Sequence, residues 1–175
     1  MIMNGEADFD LAVRLRTEGA PLGEVYAFIS GLYFRGKLAY ATAFGTPLVI
    51  TAGRGLLAPE TQITLDDLRA IAAVPIDLAN PLYRDPLEQA ARTLEPSGEV
   101  ILLGSIATPK YLEPLKAVLG SRLLFPSDFI GRGDMSRGGL MLRCARDGTE
   151  LEYVPASTEL RRGRRPPKLT HANSR

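Results

Sequence analysis

Residues 99–126 read EVILLGSIATPKYLEPLKAVLGSRLLFP, and the order of patterns inside them decides the fold class. EVILLGS at 99–105 is an apolar run without alternation, as expected of a strand covered on both sheet faces. A helical stretch follows and ends near Gly120. Pro114 removes an amide donor, so the regular part of that helix is expected from about Leu112. SRLLFP at 121–126 reads as the next strand. Strand, helix and strand in this order predict a parallel pair joined by a crossover helix.

Working outward, Asp85 reads as an N-cap, Pro86 as the first helical residue and Glu88 as the partner in a capping box. Leu87, Ala90, Ala91 and Leu94 then share one apolar stripe. Thr64 and Asp67 form a second capping box and open a helix to about Ala73. PLVIT at 47–51 reads as a buried strand, and Ser30 as the cap of a helix over 31–44. FDLAVRLR at 9–16 alternates in part and reads as a strand. Toward the C-terminus, Leu140–Arg146 and Thr149–Val154 flank Asp147-Gly148, a two-residue turn signal. That register sets Arg143 opposite Glu152 and Cys144 opposite Leu151. The expected fold is therefore α/β: a three-layer domain over residues 1–159 with a mostly parallel central sheet, helices on both faces and a C-terminal antiparallel hairpin. Residues 160–175 are polar and basic and are expected to form a disordered tail.

Charge and rare residues narrow the chemistry. The chain holds 21 basic and 20 acidic side chains, and six of the basic ones follow Glu159. Fifteen basic against 20 acidic residues remain before that point, so an acidic body of net −5 carries a basic tail. Cys144 is the single cysteine, which excludes an internal disulfide framework. His171 is the single histidine and lies in the tail, which excludes a Ser-His-Asp triad and a His-based zinc centre in the core. No metal site and no cofactor are expected. With no leader and no membrane span apparent, a cytoplasmic location and no membrane partner are expected.

Four glycine-rich stretches could carry function. In Ser30–Lys37, Tyr33, Phe34, Leu38, Tyr40, Ala41 and Phe44 share a helical face with Lys37 in its middle. A lysine there must pair, snorkel to an edge or reach into a pocket. In Thr51–Leu57, Gly53 and Gly55 surround Arg54 directly after a strand. Such a turn can expose amides and a forked guanidinium to an anion, or it can simply end the strand. In Leu103–Tyr111, Gly104, Ser105, Thr108 and Lys110 lie between a strand and a helix N-terminus, a natural anion position. Thr108 could equally serve only as a cap. In Phe129–Leu140, Arg132, Arg137 and Asp134 sit among four glycines. Asp134 is the candidate base or hydrogen-bond acceptor, against the alternative of a local Asp–Arg pair. Glycine spacing matches neither a Walker A loop nor the dinucleotide fingerprint.

The run Ser30-x-x-x-Phe34-Arg35, followed by Ala52-Gly-Arg-Gly-Leu-Leu57-Ala-Pro-Glu-Thr, resembles a group of small bacterial and phage proteins with a Ser-Ala-x-x-Gly-Leu-Leu motif. Gly104 and Tyr111 loosely match that group's Gly-x-x-Tyr strand end. Related wording occurs in the YaaA peroxide-stress proteins, and a similar module of archaeosine synthase has a uracil-DNA-glycosylase-like fold. The resemblance covers about residues 26–145. It implies a nucleotide, nucleobase or nucleic-acid partner. Thr51 stands where the group has Ser, and the histidine motif of true uracil excision is absent. Any reaction would be N-glycosyl transfer or hydrolysis without histidine or metal. The alternative is a non-catalytic protein-interaction module in a bacterial assembly.

Overall fold

The computed structural model describes residues 2–106 and 108–157 and forms a mixed α/β fold. The quoted stretch folds in the expected order. β5 (Val100–Ile101) pairs in parallel with β6 (Leu123–Pro126), and α5 (Pro109–Leu119) crosses between them. The Leu102 amide donates to the Leu124 carbonyl at 2.8 Å and extends this ladder by one bond. β7 (Tyr153–Pro155) joins the other edge of β6 antiparallel.

The larger parallel sheet is not what the other strands build. β1 (Ala20–Pro21) pairs antiparallel with β4 (Gln62–Ile63), and β2 (Val49–Thr51) pairs antiparallel with β3 (Gly55–Leu57). Of the four strand pairings among the described residues, one is parallel. The expected strand at 47–51 is thus one arm of a hairpin.

Two predicted strand regions are helices. Of residues 9–16, Phe9 is the extended N-cap and 10–16 fall in α1 (Asp10–Thr17), where Leu11, Ala12 and Leu15 are buried on one stripe. Arg14 reaches one turn back to Asp10 at 2.9 Å and across to Glu24. Such i, i+4 geometry rewards helix over alternation. The first arm of the predicted C-terminal hairpin, Leu140–Arg146, lies instead in α6 (Asp134–Asp147), with Gly138, Met141 and Cys144 buried, and the second arm is a strand only at Tyr153 and Val154, where β7 pairs with β6. Gly148 takes φ 64° and ψ 27°, and both its amide and that of Thr149 donate to the Cys144 carbonyl. A left-handed glycine after Asp closes a helix as readily as it turns a hairpin, and burial of the helical stripe decides between them.

The remaining helices begin differently from expectation. α2 (Leu22–Phe44) starts after Pro21, so Ser30 lies inside it. Gly31 breaks the helix with φ 62° and ψ −142°, one residue beyond the expected cap. α3 (Leu65–Ala72) carries the predicted Thr64–Asp67 capping box. α4 (Pro81–Arg92) starts more than a turn before Asp85, because Asn80 accepts from the Leu82 amide at 3.1 Å and Pro81 takes the first turn. In α5, Pro109 opens the helix and Pro114 sits within it. Proline at 114 removes the donor that would meet the Lys110 carbonyl. The Tyr83 hydroxyl replaces that donor at 2.8 Å, which explains why the helix extends further back than Leu112.

Two buried clusters hold the molecule. One gathers Tyr83, Leu87, Leu112, Leu123, Phe125, Phe129 and Met141 among others, and the second gathers Leu15, Leu22, Val25, Ile63 and Leu68. α2 supplies Val25 to the second and Tyr40 to the first, and α3 supplies Leu68 and Ile71 likewise. The helices α2 and α6 cross where two glycines meet. A methyl on Gly36 would stand 2.6 Å from the Gly138 carbonyl oxygen, and one on Gly138 would stand 3.0 Å from the Tyr33 Cα. Among the described residues, no helix is long and apolar enough to cross a membrane. The basic tail, with His171, lies outside the described residues.

Candidate functional site

The first, third and fourth glycine-rich stretches meet at the α2–α6 crossing. The Tyr33 hydroxyl donates to the Leu103 carbonyl at 3.2 Å. Lys37 places its Nζ 3.9 Å from the centre of the Tyr33 ring. Arg137 of α6 donates through Nε and Nη2 to the Phe129 carbonyl at 3.2 and 3.0 Å, and its guanidinium lies over the Phe129 ring at 5.4 Å. Asp134 is exposed, at the start of α6, with its carboxylate 3.9 Å from Arg137. Burial pushes the Tyr33 phenol above its ordinary value, against the pull of a hydrogen bond with Arg137 and that residue's charge. Burial pushes the Lys37 amine below its ordinary value, with Asp134 opposing and Arg137 adding.

The second stretch approaches the third from the other half of α2. Tyr26 is partly buried, and burial raises its phenol above the ordinary value. Thr51 and Arg54 pull it back down, while the Tyr111 phenol adds to the rise. Tyr26 therefore sits within electrostatic reach of both strand-end stretches. α4 joins them as well, since Tyr83 holds the Lys110 carbonyl and lies near Tyr111.

Individual residues take more modest places than the sequence suggested. Arg54 is exposed and pairs with Asp67 at 2.6 Å. Gly55, with φ 72°, packs so tightly on α4 that a methyl there would stand 2.4 Å from the Pro86 carbonyl oxygen. Gly53, with φ 78°, faces Val74 and the Leu82 carbonyl. Those contacts account for both glycines without a ligand. Thr108 occupies the cap of α5 but makes no side-chain cap hydrogen bond, and Thr108 and Lys110 are exposed. Gly104 and Ser105 are partly exposed, and Ser30 is exposed ahead of the Gly31 break. Arg132 folds back on the Asp128 carbonyl at 2.8 Å.

Tyr26 emerges as a site residue outside the four glycine-rich stretches, while Tyr33 and Tyr111 belong to the first and third of them. Seven residues separate Tyr26 from Tyr33, but Gly31 breaks the helix between them, so helical spacing carried no signal for Tyr26. Among the described residues, no group of three or more His, Cys, Asp or Glu side chains could hold a metal ion. Comparisons with protein-family models, curated proteins and solved structures find no match.

Proposed function

We propose that the chain binds a ligand joining an aromatic ring to an anion, of the nucleotide or nucleobase class, along the α2 face. One observation carries this reading: three sequence-distant stretches, around Arg54, Leu103–Tyr111 and Asp134–Arg137, all approach the tyrosines of α2. Tyrosines supply stacking surfaces that tolerate any base, and interleaved cations favour phosphate. Arg54, whose charge acts on the Tyr26 phenol, and Lys110, next to Tyr111 in the chain, are exposed cations on this half. Were the ligand turned over, exposed Asp134 would act as base or stabilise a developing positive charge in N-glycosyl transfer or hydrolysis.

The interaction-module reading draws support from a different feature. Phe28, Ile29, Leu82 and Met135 are large apolar side chains left exposed, with Met135 at 69%. A protein partner covering them would explain that exposure.

A thermal-shift screen of nucleotides, nucleobases and short oligonucleotides at low salt separates the two. Ligand at one hundred times its Kd stabilises a fold by about 2.7 kcal/mol, a readily measured rise in Tm. The nucleotide reading expects such a rise, diminished in Arg54→Ala and Lys110→Ala after each variant's own unliganded Tm is subtracted. No rise with any compound, together with self-association or protein capture lost on Met135→Ser, would favour the module.

A further inference from the structure

The chain holds three asparagines, and two of them stand in opposite chemical settings. Asn4 is followed by Gly5, and both are exposed. Asn4 Oδ1 accepts from the Glu6 amide at 3.1 Å, which folds the side chain back over Gly5 and polarises its carbonyl. Among the described residues, no backbone hydrogen bond engages the Gly5 amide. Gly5 has no Cβ to hold that amide away from the side chain. Asn80 differs on each count. Its Oδ1 caps α4, its Nδ2 donates to the Pro75 carbonyl at 2.8 Å, and Pro81 after it has no amide hydrogen. Asp147-Gly148 has the same small neighbour as Asn4, but Arg146 grips that carboxylate and the Gly148 amide donates to the Cys144 carbonyl. We propose that Asn4-Gly5 is a self-modification site, where the Asn4 amide is lost and an aspartyl or isoaspartyl link replaces it.

The Gly5 nitrogen loses its proton to solvent and attacks Asn4 Cγ. The Glu6 amide, already on Oδ1, stabilises the charge that develops there. The Cγ–Nδ2 bond breaks, Nδ2 takes a proton from solvent and leaves as ammonia, and a succinimide ring closes. Water then adds to one ring carbonyl. Cleavage between Cγ and the Gly5 nitrogen leaves aspartate, and cleavage at the Asn4 main-chain carbonyl leaves isoaspartate. One asparagine and one water give one acid and one ammonia, with no oxidant or reductant. Either product adds a negative charge. The isoaspartyl link also lengthens the main chain by one carbon between Ile2, buried in the second cluster, and Phe9, which stacks on Phe28. This inference stands apart from nucleotide binding.

The test is ageing of the intact chain in warm buffer, followed by digestion and mass spectrometry of the asparagine peptides. Conversion at Asn4 should run many-fold ahead of conversion at Asn80. It should quicken from pH 6 to pH 8, because the Gly5 nitrogen attacks only after losing its proton. Gly5→Ala should slow it several-fold, since the added methyl crowds the attacking nitrogen. Gly5 takes no positive φ, and the nearest atom to an added Cβ would be Arg69 Nη2 at 3.9 Å, so the variant keeps the fold. Conversion at Asn4 no faster than at Asn80, or undiminished in Gly5→Ala, would overturn the proposal. The comparison of Asn4 with Asn80 is made within the unaltered protein, so it requires no variant.

Discussion

Asp67 concentrates several roles in one carboxylate. It accepts from the Thr64 amide and hydroxyl, both at 2.8 Å, and pairs with Arg54. The Thr64 amide first, then Arg54, hold its pKa down from 3.8 to about 2. A depressed carboxylate lends stability that is full above its unfolded value and is lost as pH falls through the folded one. Urea unfolding should therefore show a contribution from Asp67 that is intact at pH 6 and fades between about pH 4 and 2. In Asp67→Asn that segment of the pH dependence should flatten. At the same scale, Gly138→Ala forces a methyl against the Tyr33 backbone and Gly36→Ala one against the Gly138 carbonyl. Each should cost roughly 1–3 kcal/mol or more in denaturant unfolding, as overpacking does. Gly139→Ala, with open space around its Cβ, is the matched control and should change little.

Helix boundaries show where local patterns suffice and where they fail. The Thr64–Asp67 box was legible because both partners lie within four residues. The start of α5 was not, because the tolerance of Pro114 depends on Tyr83, which is 31 positions away and supplies the missing donor. Tyr83→Phe should leave the Lys110 carbonyl unmet and cost about 1–3 kcal/mol. α6 was misread because Asp147-Gly148 serves either a hairpin or a helix end, and the deciding contact, Gly138 on α2, lies outside the local window. At Gly31 the sequence marked the right place for the wrong reason: Ser30 does not begin the helix, yet the helix breaks one residue later. Gly31→Ala meets no steric obstacle but must hold φ 62°. It should lose on the order of 1–3 kcal/mol through backbone strain alone.

Over the whole molecule, α2 is the common element. It enters both buried clusters, crosses α6, and presents Tyr26 and Tyr33 to stretches from three other parts of the chain. The glycine-rich stretches, with Tyr33 and Tyr111 inside two of them, were visible in the sequence; Tyr26 was not, because its importance comes from tertiary approach. Conversely, Gly53 and Gly55 looked like ligand glycines, yet both hold a positive φ, Gly55 packs tightly on α4 and Gly53 abuts Val74. The central claim is that one ligand lies along this face. Amide chemical-shift mapping during titration with a purine mononucleotide addresses it most directly. Shifts should grow together, with one dissociation constant, at residues 26–37, 51–54, 103–111 and 134–137. Shifts confined to one of these stretches, or absent at millimolar nucleotide, would contradict it.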